Sequence, residues 1–202
     1  GTGTGSGGDV YVTLGTGTRI TTTGYNAHGV FAQSVTGGGG VWENKNEGML
    51  AGTNRAIAAS GATPSIVGVF VEGQVAVSGL DSWGVWAQNA GNAGNAAGVS
   101  VTVSGSVVAS GQAYGAVAMS TDTGAGQLTI EKGGSVTGNV RNDGTTSSSA
   151  SMQAFWVTDS LPPSSTGSLL NNGALTTADY VIGLDVTNTG TIDLGGTGTL
   201  GR

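Results

Sequence analysis

The sequence predicts an all-β fold, a β-solenoid of about six to seven stacked rungs that forms one domain over residues 1–202. A short phrase recurs at intervals of about 30 residues, which is typical of solenoid repeats. Glycine accounts for 40 of the 202 residues and charged residues for only 9%. Glycine supplies the positive φ angles of tight turns, and low charge with ample Val and Ala argues against disorder. Helical periodicity is absent from the sequence, so we expect no helices.

The recurring phrase is a bulky or polar residue, then Gly or Ala, an apolar residue, any residue, and Ala. The first residues of successive copies are 27, 28, 31, 39 and 27 positions apart. The three clear copies, one looser copy and two weak copies are, in that order, HGVFAQS (28–34), WGVWAQN (83–89), YGAVAMS (114–120), RAIAASG (55–61), QAFWVTD (153–159) and YVIGLD (180–185). We interpret each copy as one strand of a rung.

Alternation along these strands predicts which residues point inward. Side chains two positions apart share a face of a strand, so the third and fifth residues of each copy should line the interior. Each should stack on its counterpart in the next rung, about 4.8 Å away. The predicted third-residue column is Val30, Ile57, Val85, Ala116, Phe155 and Ile182, and the fifth-residue column is Ala32, Ala59, Ala87, Ala118, Val157 and Leu184.

A second column precedes the first in each rung. It has the pattern Gly, any residue, aliphatic residue, and a small residue and a turn follow it; before Ile20 the glycine is shifted to position 17. We interpret it as a short strand between two turns. Its aliphatic members are Ile20, Leu50, Val75, Val107, Val136, Leu175 and Ile192. The polar segment 139–151 and the Pro-containing segment 160–167 are predicted to be surface insertions or loops.

One stretch resembles a known family. HGVFAQSVTGGGG at 28–40 is similar to a recurring phrase of large bacterial autotransporter passengers, and GVWAQNAGNAG and VTVSGSVVASGQAYGAVAMS look like degenerate copies. The resemblance covers about residues 15–126. It implies a right-handed parallel β-helix, secreted to the bacterial cell surface as an adhesin or stalk. Its implied partners are a host or cell-surface protein or glycan.

Composition narrows the classes of function. The net charge is −6 and the six basic residues are scattered, which opposes nucleic-acid binding. No run of about 18 apolar residues occurs, so we expect no membrane insertion by this segment. The absence of cysteine excludes disulfides and thiolate metal sites. We therefore predict no cofactor and no metal.

Catalytic residues are hard to assemble from this sequence. His28 is the only histidine, and its column also holds Arg55, Trp83, Tyr114, Gln153 and Tyr180, which suggests a solvent-facing corner. We expect a structural or adhesive protein and no enzyme. A polysaccharide-active β-helix enzyme stays open as an alternative, with Asp179 and Asp185 as the nearest pair of acids.

Abundant threonine raises a further alternative, an ice-binding solenoid. Such a face needs threonines in register on successive rungs. The column after the aliphatic residue instead mixes hydroxyl, apolar and acidic residues, in the order Thr21, Ala51, Ala76, Val108, Thr137, Thr176 and Asp193. This is not a regular hydroxyl ladder.

An outward aromatic column is the strongest candidate surface for binding or assembly. The residues between the two inward columns are Phe31, Ala58, Trp86, Val117 and Trp156. A contiguous exposed apolar patch marks an interface, but a loop of the same chain could also cover it. Neither end of the sequence resembles a polar cap, so either the native chain continues or copies stack end to end into a fibre. The candidate surface comprises Phe31, Trp83, Trp86, Tyr114 and Trp156.

Overall fold

The chain folds into a parallel β-helix, as the repeat predicted. The computed structural model describes residues 8–35, 40–44, 49–54, 65–90, 98–121, 126–144, 167–177, 180–182, 184–195 and 199–200. These ranges contain strands and turns but no helix. The strands in chain order are β1 (Val10–Leu14), β2 (Arg19–Thr22), β3 (Val30–Val35), β4 (Gly40–Asn44), β5 (Met49–Asn54), β6 (Ile66–Val71), β7 (Gln74–Val77), β8 (Trp83–Ala90), β9 (Gly98–Val103), β10 (Ser106–Ala109), β11 (Gly115–Thr121), β12 (Gly126–Ile130), β13 (Ser135–Thr137), β14 (Val140–Gly144), β15 (Gly167–Asn171), β16 (Ala174–Thr176), β17 (Tyr180–Ile182), β18 (Leu184–Asn188), β19 (Thr191–Asp193) and β20 (Thr199–Leu200).

Three parallel sheets of six strands form the walls of the β-helix. Sheet A has the order β1-β6-β9-β12-β15-β18, sheet B the order β2-β7-β10-β13-β16-β19, and sheet C the order β3-β8-β11-β14-β17-β20. Each rung contributes one strand to each sheet. The part of the β-helix that the structure describes therefore has six rungs, within the predicted range.

The core fills the space between the three sheets. Strand β9 shows the alternation that builds it, because Val99, Val101 and Val103 are buried while the residues between them are partly exposed. Valine suits this position because a β-branched side chain packs well on a pleated sheet. Each fully buried valine contributes about 1.5–3 kcal/mol relative to an exposed one. Stability thus depends on the stacking of neighbouring rungs.

The second predicted column is confirmed for six of its seven members, all of which lie in sheet B; Leu50 is the exception. Ile20, Val75, Val107, Val136, Leu175 and Ile192 are partners in register across sheet B. Each of them except Ile20 has a glycine two residues before it, and these glycines stack closely along the backbone. A Cβ on Gly105 would lie 2.0 Å from the carbonyl oxygen of Gly73, and one on Gly190 would lie 2.1 Å from that of Gly173. Only glycine fits there without a shift of the backbone.

The predicted rung around residues 49–61 is wrong in its described part. Strands β4 and β5 pair antiparallel with each other, and Leu50 lies opposite Glu43 in that hairpin. Strand β3 instead pairs directly with β8, which places Val30 beside Val85. One rung is thus 55 residues long and carries a hairpin. Ala51 also belongs to the hairpin, while Ile57, Ala58 and Ala59 lie outside the described residues.

The inward columns shift by one residue at β11. The sequence placed Ala116 and Ala118 inward and Val117 outward. The structure pairs Val117 with Val85, and Val117 and Met119 lie in the main core. Ala116 is also buried in the main core, as the sequence predicted, so the faces are reversed only from Val117 onward. A shift of one residue moves every side chain of a strand to the opposite face. The larger apolar side chains therefore fill the interior in this rung.

Gly115 explains how this register is accommodated. It lies opposite Trp83, and a Cβ at Gly115 would lie 2.4 Å from Cζ3 of the Trp83 ring. The missing side chain leaves room for the indole. On the outer face of sheet C, Ala118 packs with Trp83 and Trp86 in a small separate cluster.

Three further assignments also differ from prediction. Residues 140–144 of the segment expected to be an insertion form β14, and Val140 is buried beside Val117. Ile182 is in register with Arg141, in the column of Ala118 and not in the inward column. Leu184 is buried in β18, the first strand of the next rung. Phe155, Val157 and residues 160–166 of the predicted loop lie outside the described ranges, and residue 167 begins β15.

Candidate functional site

An aromatic cluster occupies the outer face and corner of sheet C in the first three rungs. It consists of His28, Phe31, Trp83, Trp86 and Tyr114. The Phe31 and Trp86 rings meet edge to face at 5.2 Å, and His28 meets Trp86 edge to face at 5.0 Å. Tyr114 stacks on Trp83 at 6.3 Å. Such pairs contribute about 0.5–1.5 kcal/mol beyond their buried area.

The cluster is only partly a surface. Trp83 and Trp86 are 2% and 1% exposed, so the chain itself encloses both indoles. Phe31 is 39% and Tyr114 36% exposed. Trp156, the fifth member of the predicted surface, lies outside the described residues. Within this cluster, the aromatic area available to a partner is therefore that of the Phe31 and Tyr114 rings.

His28 is packed into this cluster and is only partly exposed, whereas the sequence suggested a solvent-facing corner. The backbone N–H of Trp83 donates a hydrogen bond of 3.0 Å to Nδ1 of His28, so the neutral ring carries its proton on Nε2. Nε2 is buried and has no hydrogen-bond partner in the described part of the chain. Burial lowers the pKa of His28 to about 4. A neutral, enclosed imidazole acts here as a packing group that accepts one backbone hydrogen bond.

The acids proposed for a glycosidase alternative are not brought together by the described structure. Asp185 is exposed in β18, and Asp179 lies outside the described residues. Within the ranges described, no three side chains of the types that ligate metals lie together as a metal site requires. The threonine column of sheet B is also irregular, since only Thr137 and Thr176 are adjacent in register.

A cleft opens at the corner between sheets B and C, beside Tyr114. The cleft results from a difference between rungs in the length of the corner, which is the segment that connects the strand of sheet B to the strand of sheet C. Eight residues separate Val108 from Val117 in the third rung, but two separate their register partners Thr137 and Val140 in the fourth. The longer corner overhangs the shorter one. The space between them has a volume of about 300 Å³.

Polar side chains hold the floor of this corner cleft. Thr177 donates a 2.9 Å hydrogen bond from Oγ1 to Oδ1 of Asn139, and Nδ2 of Asn139 donates a 2.9 Å bond to the carbonyl oxygen of Tyr114. Gly138 has a φ of 122°, which allows the tight turn between β13 and β14. Three successive rungs are thereby connected at one corner.

The lining of the corner cleft is uncharged and mixed in character. Hydroxyl, amide and aromatic groups face it, together with backbone at small residues. The lining residues that carry these groups are Ser110, Tyr114, Thr137, Asn139, Thr176 and Thr177. An uncharged lining of this kind suits a neutral polar ligand.

Sequence reasoning identified Tyr114 but missed the rest of the cleft. The available signal was the segment VTGNV at 136–140, which passes from the aliphatic column to the next strand with far fewer residues than VVASGQAYGAV at 107–117. A short corner beneath a long one indicates a recess, but only once the register is known.

Comparisons with known proteins give no relative. No protein-family profile, curated protein or solved structure matches this chain. The resemblance to autotransporter passengers therefore stays a prediction. The described part of the chain has no helix with the length and apolarity needed to cross a bilayer.

Proposed function

We propose that this chain is a structural or adhesive β-solenoid segment that acts outside the cell, at a bacterial surface or in an extracellular fibre. The observation that supports this is the stacking of three parallel sheets through six rungs. Each rung contacts its neighbours, so such a fold is a rod whose length increases with rung number. A rod of this kind is suited to holding binding groups away from a surface.

The ends of the sheets favour association of copies end to end. In the described structure, β1, β2 and β3 at one end and β18, β19 and β20 at the other each have a hydrogen-bonded neighbour on one side only. Unpaired strand edges are templates for another strand. Contacts between unlike ends are heterologous, and they produce open filaments when they do not close into a ring.

A concentration series tests the fibre form of this proposal. By electron microscopy and light scattering, we expect rods whose length rises with concentration in steps of about 30 Å, the height of six rungs. Lysine substitution of the exposed edge residues Thr187 and Thr191 should shorten them, because edge charges oppose pairing. The matched control substitutes lysine for Gln74 and Gln127, which are exposed in the middle of the sheets.

A bead assay tests the adhesive form. Beads coated with the purified chain should be retained on cell surfaces under flow more than beads coated with an unrelated protein of the same charge. Retention without rods would support an adhesive segment, and rods without retention would support a fibre subunit. Monomers at every concentration together with no retention on any cell type would contradict the proposal.

A further inference from the structure

We propose that the corner cleft binds a neutral saccharide, with Tyr114 as the ring on which the sugar packs. This inference deepens the adhesive form of the proposed function by naming the class of ligand. The cleft lies between β10, β11, β13 and β16 and is lined on three successive rungs. It is thus part of the rigid ladder and does not depend on a loop closing over it.

The size of the cleft limits the ligand. Ligand pockets range from about 300 to 1,000 Å³, and the corner cleft is at the lower limit. A small ligand, or the end of a chain that continues into solvent, fits this volume. A protein partner would have to insert a single side chain.

Two hydroxyl groups in the cleft are available to a ligand. Thr137 and Thr176 are register partners on the outer face of sheet B, so their Cα atoms lie about 4.8 Å apart. Within the described structure, neither hydroxyl forms a hydrogen bond to the protein. A threonine hydroxyl can both donate and accept. Sugar hydroxyls have the same dual character, which makes the two sets of groups complementary.

The amide of Asn139 is oriented before any ligand arrives. It accepts from Thr177 and donates to the backbone of Tyr114, so both side chain and corner are held in place. Thr177 is 1% exposed, which protects this arrangement from water. Preorganised groups lose little freedom on binding, and affinity benefits accordingly.

Tyr114 supplies the apolar part of the site. Its ring stacks on the buried Trp83 with an interplanar angle of 23°, and it remains 36% exposed beside the cleft. A buried support of this kind restricts the orientation of the exposed ring. Aromatic rings offer a flat apolar face, which matches the C–H face of a sugar.

Charge decides between classes of saccharide. No acidic or basic side chain lines the cleft. A phosphate or uronate would lose hydration there without gaining a compensating cation, which is unfavourable. The geometry therefore points to uncharged sugars.

The test measures binding of soluble oligosaccharides to the purified chain. Neutral oligosaccharides of two to six residues are screened by titration calorimetry, beside uronate oligosaccharides of equal length. We expect at least one neutral oligosaccharide to bind and uronates to bind about tenfold or more weakly, because an unpaired buried charge is costly. Binding by uronates alone, or by none of the oligosaccharides at millimolar concentration, would overturn the proposal.

Variants locate the site on the corner cleft. Tyr114→Ala should weaken binding about tenfold through loss of the packing ring, and Thr176→Val about fivefold through loss of one hydrogen bond. The matched controls are Tyr25→Ala and Thr21→Val, which remove an exposed tyrosine and an exposed threonine from the first rung. Binding that survives Tyr114→Ala and Thr176→Val unchanged would also overturn the assignment.

Failure of this test is separate from failure of the proposed function. Folding of every variant is checked by circular dichroism, and Thr176→Val keeps the shape of a surface β-branched side chain. Rod formation does not involve the cleft, and bead retention requires a ligand on the cell surface but not that this ligand is a neutral sugar. If they persist while no neutral sugar binds, only the assignment of the ligand is lost.

Discussion

His28 lies between two aromatic rings and the backbone of the neighbouring rung. Phe31 stacks on it with ring centroids 6.3 Å apart and an interplanar angle of 28°, and Trp86 meets it edge to face. Its Nδ1 is already occupied as an acceptor by the N–H of Trp83. Desolvation lowers its pKa, and protonation at Nδ1 would also set one donor against another. The side chain thus stabilises the fold only in its neutral form.

This predicts a loss of stability in mild acid. The pKa of His28 is about 4 in the folded chain and 6.5 in the unfolded chain. Between these values the unfolded chain binds a proton that the folded chain does not, so stability falls as pH decreases from 6.5 towards 4. The loss should not exceed about 3.5 kcal/mol, since the two pKa values differ by about 2.5 units and each unit corresponds to about 1.4 kcal/mol.

Urea unfolding of the wild type and His28→Asn would check this. Asparagine can keep an acceptor near the position of Nδ1 but does not titrate. The free energy of unfolding of the wild type should fall more between about pH 7.5 and pH 4.5 than that of the variant. Equal losses for the two proteins would show that His28 is not responsible.

At the scale of the element, the glycine column before the sheet B strands determines how closely the rungs approach. Gly73, Gly105, Gly134, Gly173 and Gly190 precede strands that are in register in sheet B. The carbonyl groups of one rung lie where the side chains of the next would be. The close approach lets the backbone bonds between turns form, such as Ser106 N–H to the carbonyl oxygen of Gly73 at 2.9 Å.

Substitution within this column should be costly. For Gly105→Ala we expect a loss of about 1–3 kcal/mol or more in the free energy of unfolding, because the new methyl group meets backbone that cannot rotate away. Gly15→Ala is the matched control, since a Cβ there meets nothing within 4 Å. Chemical denaturation of both variants measures the difference. Equal stability of the two would contradict the packing argument.

At the scale of the whole molecule, the ladder is continuous although the chain is not regular. The hairpin β4–β5 interrupts the sequence between the first and second rungs, yet β3 and β8 are direct neighbours. The two ends of the hairpin are close, because Gly40 and Asn54 are register partners. The hairpin is therefore an excursion from one corner of the rod.

Excision of the hairpin should leave the β-helix intact. Replacing residues 40–54 by two glycines should keep the β-sheet circular dichroism spectrum, with a thermal midpoint within a few degrees of the wild type, since none of the three parallel sheets loses a strand. Deletion of an equal length that includes β10 is the comparison and should abolish cooperative unfolding. An unfolded hairpin deletion would show that the excursion supports the rungs.

The sequence by itself determined the class of fold, the number of described rungs to within one, and the aliphatic column of sheet B. Those features follow from local patterns, because alternation selects a strand and the glycine before each aliphatic residue has a steric cause. The same reasoning named Tyr114 as a candidate for a binding surface, because an aromatic residue in a repeat position is visible without knowing its neighbours.

Only the tertiary structure decided which copies of the phrase lie on one another. YGAVAMS matches WGVWAQN best without a shift, but the structure moves it by one residue so that Val117 and Met119 fill the core and Gly115 makes room for Trp83. The register of the strands and the recess at the corner depend on the side-chain volumes of neighbouring rungs. No single stretch of sequence contains that information. The corner cleft exists for that reason, since its depth is the difference between two corners brought together by stacking.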